Sequence, residues 1–362
     1  MSRRVLYFTG SGEVEVREEP VPEPGEDEVL VETDVSAISP GTELLVYRGE
    51  VPAGMAADAT IDALDEEFEY PLQYGYAAVG RVAAAGVGVD DAWRDRRVFA
   101  FAPHASHFLA VPEELRGVPD GSAGRAALLA NAEAAVNFVL DGAPAVGERV
   151  AVFGQGVVGL LTTALLAAFP LEALVAVDGH ERRRELALEF GADASVAPGA
   201  DDLRAHLDGD RSGDDATDGS PPGDPPSGSG DAAERRGPGG ADLAYELSGN
   251  PAALDGAIAA TGFAGRLVVG SWYGTKPVEL DLGGAFHRSR IRLLSSQVSS
   301  IDPTDRGRWD KARRLAEARR LLERVDAERL LTHRVPLERA PAAYRLLDEC
   351  PEEAVGVLLT YS

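Results

Sequence analysis

Along the first third of the chain, apolar and polar residues alternate in short runs: Val5–Phe8, Val14–Val16, Val29–Thr33, Ala78–Ala83, Arg97–Phe101 and Phe108–Val111. A period of two, punctuated by Pro22, Pro24 and Gly25, predicts a β-rich region of short antiparallel strands. From Arg125 the text changes. An Ala-rich helical stretch to about Leu140 precedes a buried strand Val150–Phe153, a helix Leu160–Phe169, a strand Leu174–Val177 and a helix Arg182–Phe190. Strands alternating with helices of this length predict βαβ units and a parallel sheet, so the fold class is α/β.

Residues 208–240 hold nothing more apolar than Ala or Pro, and Asp, Gly, Ser and Pro dominate, which predicts a disordered acidic insertion. The sheet resumes with Leu243–Leu247, a helix Pro251–Thr261 and a strand Leu267–Val269. After Ser295 follow an amphipathic helix Asp310–Arg324, a strand Val335–Leu337, a short helix near Ala342–Asp348 and a closing strand Ala354–Thr360. The tail is expected to return to the β-rich region. The expected division is 1–130, 131–294 and 295–362.

Composition narrows the functional classes. The chain has 362 residues, enough for two cores, and its net charge of −25 lacks the clustered Lys and Arg that nucleic acid or an anionic membrane needs. Neither partner is expected. With 44% hydrophobic and 26% charged residues, and no apolar run near the roughly 20 residues of a membrane span, a soluble protein is expected. The N-terminus carries no apolar signal region, so the cytoplasm is the expected compartment. Lys276 and Lys311 are the only lysines in an acidic chain, a composition resembling that of halophilic proteins. Cys350 is the sole cysteine, which excludes an intrachain disulfide and any cysteine-cluster metal site.

The strongest motif is Gly154, Gly156 and Gly159 in G-x-G-x-x-G spacing between the buried strand and a helix. Gly154 permits the turn, Gly156 lets backbone approach a pyrophosphate, and Gly159 allows close helix packing. Val157 and Val158 supply N–H groups at the helix start. Asp178 ends the next strand, where its carboxylate can accept ribose hydroxyls. It favours NAD, while Arg182 and Arg183 argue for the 2′-phosphate of NADP. Ser248, Asn250, Ser271 and Trp272 follow later strands and are expected to border the nicotinamide.

The β-rich start, central Rossmann unit and returning tail resemble the medium-chain dehydrogenase/reductase superfamily, the zinc alcohol dehydrogenase-like proteins. Ser39-Pro-Gly-Thr-Glu43, Val46–Pro52 and Gln73-Tyr-Gly-Tyr76 most resemble the bacteriochlorophyllide a dehydrogenase-like subgroup. The resemblance implies a GroES-like domain beside a doubly wound Rossmann domain, an NAD(P)-dependent oxidoreductase of small molecules, and a homodimer. Zinc-dependent members hold their metal with a Cys, a Gly-His-Glu motif and a third ligand. Here those places fall on Ser39 or Pro40, on Tyr76 and Ala77, and near Asn131 and Glu133, so no zinc is expected. His104 and His107 are the residual metal candidates.

Without zinc, Tyr76 and Thr42 are the leading groups for proton transfer and oxyanion stabilisation, with Ser39 and Glu43 beside them. The basic run Phe286–Arg290 is a candidate for meeting an anionic substrate or phosphate. Reduction of an activated C=C bond, as in quinone oxidoreductase-like relatives, is a second enzyme reading. A dinucleotide-binding sensor without chemistry is a third.

Overall fold

The computed structural model describes residues 2–52, 54, 68–119, 121, 123–199, 202–208 and 239–361. Apart from its edge residues, the 208–240 insertion lies outside the described residues. Six parallel strands form one sheet. Arg149–Phe153 lies inside, flanked on one side by Ala173–Val177 and then Ala194–Val196, and on the other by Ala241–Glu246, Thr261–Val269 and Arg292–Ser295. Counted along the chain, this order is 3-2-1-4-5-6, the doubly wound arrangement whose two halves each receive one mononucleotide at the carboxyl ends of the strands. The central strands are apolar throughout because helices cover them: Val150, Ala151, Val152, Leu174, Val175, Leu243 and Ala244 are all buried.

The remaining strands are mostly antiparallel. Val29–Ile38 pairs with Ala78–Ala85, with His107–Ala110 and, at its far end, with Gly356–Thr360. The tail therefore returns to the β-rich region, and Leu331–Pro336 adds to it in parallel. A smaller sheet of Glu13–Pro20, Ser2–Gly10 and Leu72–Gln73 lies alongside. Among the described residues, no helix is long and apolar enough to cross a membrane.

Several elements depart from the sequence expectation. The helix after the glycine turn spans Val157–Leu166, starting three residues earlier than Leu160, because its first turn is built on the motif itself. Ser39–Glu43 opens a helix, Pro40–Arg48, whose first-turn proline needs no N–H partner and whose end is set by Gly49 at φ +71°. The edge strand Arg292–Ser295 escaped the pattern because three of its four residues are exposed.

Candidate active site

The glycine turn has the geometry that close approach requires. Gly154 sits at φ +89°, and a Cβ there would lie 2.5 Å from the Ser248 backbone. A Cβ on Gly159 would lie 1.9 Å from the Gly154 carbonyl oxygen, so helix and turn meet backbone to backbone there. Gly156 faces open space, with no atom within 4 Å of where its Cβ would be. No side chain caps the helix that follows, which leaves the first-turn N–H groups at Val157, Val158 and Gly159 directed at that space.

Asp178 ends the neighbouring strand and is 6% exposed. Its Oδ2 accepts the Gln155 N–H at 2.7 Å and its Oδ1 accepts the His180 N–H at 2.8 Å. Each oxygen keeps a further lone pair for a hydroxyl donor. Gln155 is itself fixed, its amide donating to Val152 O at 2.9 Å and accepting from Thr163 Oγ1 at 3.0 Å.

The arginines after Asp178 have main-chain partners. Arg183 Nη2 donates to the carbonyls of Pro351 at 2.6 Å and Ala354 at 3.0 Å, tying the helix to the C-terminal segment. Burial holds its pKa below the usual arginine value, partly offset by Asp178. Arg184 donates to Asp178 O and Gly179 O, and Arg182 reaches Glu353 O. The Pro351, Glu353 and Ala354 carbonyls come from the far end of the chain, whereas the two that Arg184 meets are local.

In the other half of the sheet, the expected loop residues have structural partners. Asn250 Oδ1 caps the helix Pro251–Ala260 by accepting the Ala252 N–H at 3.1 Å. Ser271 Oγ accepts the Gly249 N–H at 2.8 Å. Ser248 donates its N–H to Glu246 at 2.8 Å and its hydroxyl to the same carboxylate. Glu246 is fully buried at the strand end and also accepts from Tyr273 Oη, whose pKa is raised by burial and by that carboxylate. Sequence reasoning passed over Glu246 and Tyr273 as site-shaping residues. A charged residue closing an apolar strand was the available signal.

Trp272 faces an aromatic group from the other half of the molecule. Phe68 lies 6.2 Å from it between ring centroids, Tyr74 lies 5.6 Å from Phe68, and Tyr76 meets Tyr74 edge-on at 6.1 Å. Tyr76 and Thr42 are half-buried, whereas Ser39 and Glu43 are buried. Ser39 and Glu43 therefore differ from the expected donor cluster: Glu43 Oε1 accepts the Ser39 N–H at 2.7 Å and fixes the start of the helix.

The other Glu43 oxygen enters a fully buried network. It meets His104 Nε2 at 3.0 Å and accepts from Tyr344 Oη. His104 Nδ1 lies 2.7 Å from Ser36 Oγ, which lies 2.7 Å from Tyr361 Oη. Both ring nitrogens of His104 are therefore engaged, one with Ser36 and the other with Glu43. Gly75, at φ +109°, lies against this ring, and a Cβ there would come within 2.6 Å of it.

His107 has separate partners: its Nδ1 lies 3.1 Å from Ser106 Oγ, and burial lowers its pKa. Glu133 is paired with Arg314 at 2.8 Å. Among the described residues, one group of three metal-ligating side chains comes together, Cys350, Glu352 and Glu353, at the surface near Arg183. The basic run Phe286–Arg290 precedes the amino end of strand Arg292–Ser295, opposite the sheet end that carries the glycine turn.

Residues 157–318 match the family model for zinc-binding dehydrogenases. D-guloside 3-dehydrogenase of Shigella flexneri is 24% identical over 297 residues, covering 80% of this chain and 78% of the relative. (R,R)-butanediol dehydrogenase of Bacillus subtilis strain 168 is 28% identical over 316 residues, covering 80% of each. An alcohol dehydrogenase of Escherichia coli CFT073, solved with NADH, has the same fold, with a TM-score of 0.72 at 18% identity over 99% of each chain. Together with the sheet order and the glycine turn, these likenesses make the chain similar to the zinc-binding dehydrogenases, in sequence over residues 157–318 and in fold over nearly its whole length.

Proposed function

We propose that the chain is a zinc-independent, NAD-linked oxidoreductase that exchanges a hydride with an alcohol/carbonyl pair. The observation that carries this reading is the glycine turn, where open space at Gly156 meets uncapped helix N–H groups beside the Asp178 carboxylate. The superfamily relatives are dehydrogenases by name, and one solved neighbour holds NADH. Asp178 supports NAD over NADP, because a buried carboxylate repels a 2′-phosphate while Arg182 and Arg184 are directed to backbone carbonyls.

The donor set does not suit zinc. The positions that resemble ligand sites carry Ser39, Pro40, Tyr76, Ala77 and Asn131, and the nearby imidazole of His104 has both nitrogens engaged. No step is therefore assigned to a metal.

Bound nicotinamide supplies or accepts the hydride. The chain's own residues do the rest: Asp178 holds the adenosine ribose, and the N–H groups from Val157 to Gly159 hold the pyrophosphate. Phe68, Tyr74 and Trp272 exclude water from the reacting carbon. Tyr76, with Thr42, holds and transfers the proton at the substrate oxygen.

The test combines NADH titration, metal analysis and turnover of an aldehyde and ketone panel. Tight NADH binding without stoichiometric zinc is expected, and Tyr76→Phe should lower turnover by about 100-fold or more. Stoichiometric zinc, or full turnover by the variant, would overturn the metal-free mechanism.

A further inference from the structure

Arg314 is 1% exposed, and its guanidinium makes five hydrogen bonds. Nε and Nη2 donate to Glu133 Oε1 at 3.0 and 2.8 Å, and Nη1 donates to Asn137 Oδ1 at 2.6 Å. The other two reach main chain: Nη2 donates to Val298 O at 2.5 Å and Nη1 to Ser300 O at 3.4 Å. A guanidinium has five N–H donors, so none is left over.

The two carbonyls belong to a segment that leaves the sheet. Strand Arg292–Ser295 ends there, and Ser296 still extends the ladder by donating its N–H to Val269 O at 2.9 Å. Ser296 Oγ accepts from Asn137 Nδ2 at 3.0 Å and donates to Asp141. Residues 296–300 are thus tied at three points by side chains from the helices Leu129–Gly142 and Lys311–Arg324. Among the described residues no strand pairs with the segment beyond Ser296, and these side chains hold its path.

The position matters more than the stability. Replacing a buried ion pair with apolar residues of similar volume is often neutral, so the Arg314–Glu133 pair is weak support for a stabilising role. What an apolar substitute would not supply is a planar fork that fixes two carbonyls. Those carbonyls lie past the carboxyl end of the outermost strand, in the half of the sheet opposite Asp178. If Asp178 marks the adenosine half, the Ser296–Ser300 segment borders the nicotinamide half.

We propose that Arg314 is a positioning residue for the nicotinamide end of the cofactor pocket, acting through the Ser296–Ser300 segment and resting on the cofactor reading above. It touches no cofactor itself. Its loss should weaken recognition of the nicotinamide half and spare the adenosine half.

The experiment compares NADH with ADP-ribose, which lacks nicotinamide, by calorimetric titration of the full chain. Arg314→Lys keeps the charge and removes the fork. It should raise the NADH Kd by about tenfold while leaving the ADP-ribose Kd within about twofold, since a misplaced supporting group penalises only the part it supports. Ser296→Ala, which leaves the Arg314–Glu133 pair intact, should shift the same ratio in the same direction by a smaller factor. It carries the test if Arg314→Lys does not fold. Equal shifts for both ligands, or no shift in folded variants, would overturn the positioning role while leaving the cofactor reading in place. Failure of the unaltered chain to bind either ligand would overturn both.

Discussion

Gly159 and Gly75 each press against something that does not move, but the obstacles differ in kind. Gly159 meets the carbonyl oxygen of Gly154, a backbone contact inside one strand–turn–helix. Gly75 meets the His104 ring, a side chain from a separate segment held by Ser36 and Glu43. In the parallel-sheet half, backbone shape makes the site, and glycine spacing records it. In the antiparallel half, side chains that meet only after folding make the wall. One wall is specified locally, the other by agreement among distant residues.

Gly159→Ala should break the first region most severely. The new methyl would lie 1.9 Å from the Gly154 carbonyl oxygen and 2.9 Å from its carbon, so helix and turn must separate. NADH affinity is expected to fall by about 100-fold or more, because displacement of groups that orient a ligand is heavily penalised. Titration of the folded variant checks it; unchanged affinity would mean that the turn does not shape the cofactor site.

Gly75→Ala tests the second region, where the obstacle can be removed. Alone it should destabilise by about 2–3 kcal/mol, through positive-φ strain and crowding of the imidazole. His104→Ala alone should cost about 3–5 kcal/mol, since it leaves the buried Glu43 carboxylate short of a partner. The double variant should be more stable than the sum by about 1 kcal/mol, because the clash has gone. Urea unfolding of the four proteins measures that coupling. Strict additivity would show that the ring does not dictate the glycine.

This difference explains what could be read in advance. The strands Val150–Phe153 and Leu174–Val177 are apolar runs bounded by polar turns, and Gly154, Gly156 and Asp178 lie at fixed distances from them in the chain. Such signals are local. Glu43 was legible as a charged residue near a motif, but its partners His104 and Tyr344 lie far along the chain. Arg183 was equally visible after Asp178, while the Pro351 and Ala354 carbonyls that claim it come from the far end. Arg314 read only as one charge on an amphipathic helix, and its burial against Glu133 required the packed helix pair. Pattern reports which face is apolar; it does not report which polar groups will be enclosed together.

Two buried tyrosines carry the comparison down to its smallest effect. Tyr344 donates to Glu43 and completes the network beside His104. Tyr245, in the fourth parallel strand, is also fully buried, yet its hydroxyl has no hydrogen-bond partner among the described residues, and burial raises its pKa. It lies over Gly142, where an added Cβ would come 2.1 Å from the oxygen, so the ring fits by shape rather than by a polar contact. Removing a hydroxyl that serves a buried carboxylate and removing one that serves nothing should have opposite signs. Tyr344→Phe is expected to cost about 2 kcal/mol, and Tyr245→Phe to be neutral or to stabilise by up to about 1 kcal/mol, since an unmade buried hydrogen bond is costlier than an absent one. Thermal unfolding gives the readout, with the second variant melting at or about 2 °C above the parent. A clear loss of stability in Tyr245→Phe would mean that the hydroxyl is satisfied after all, by water buried against Gly142.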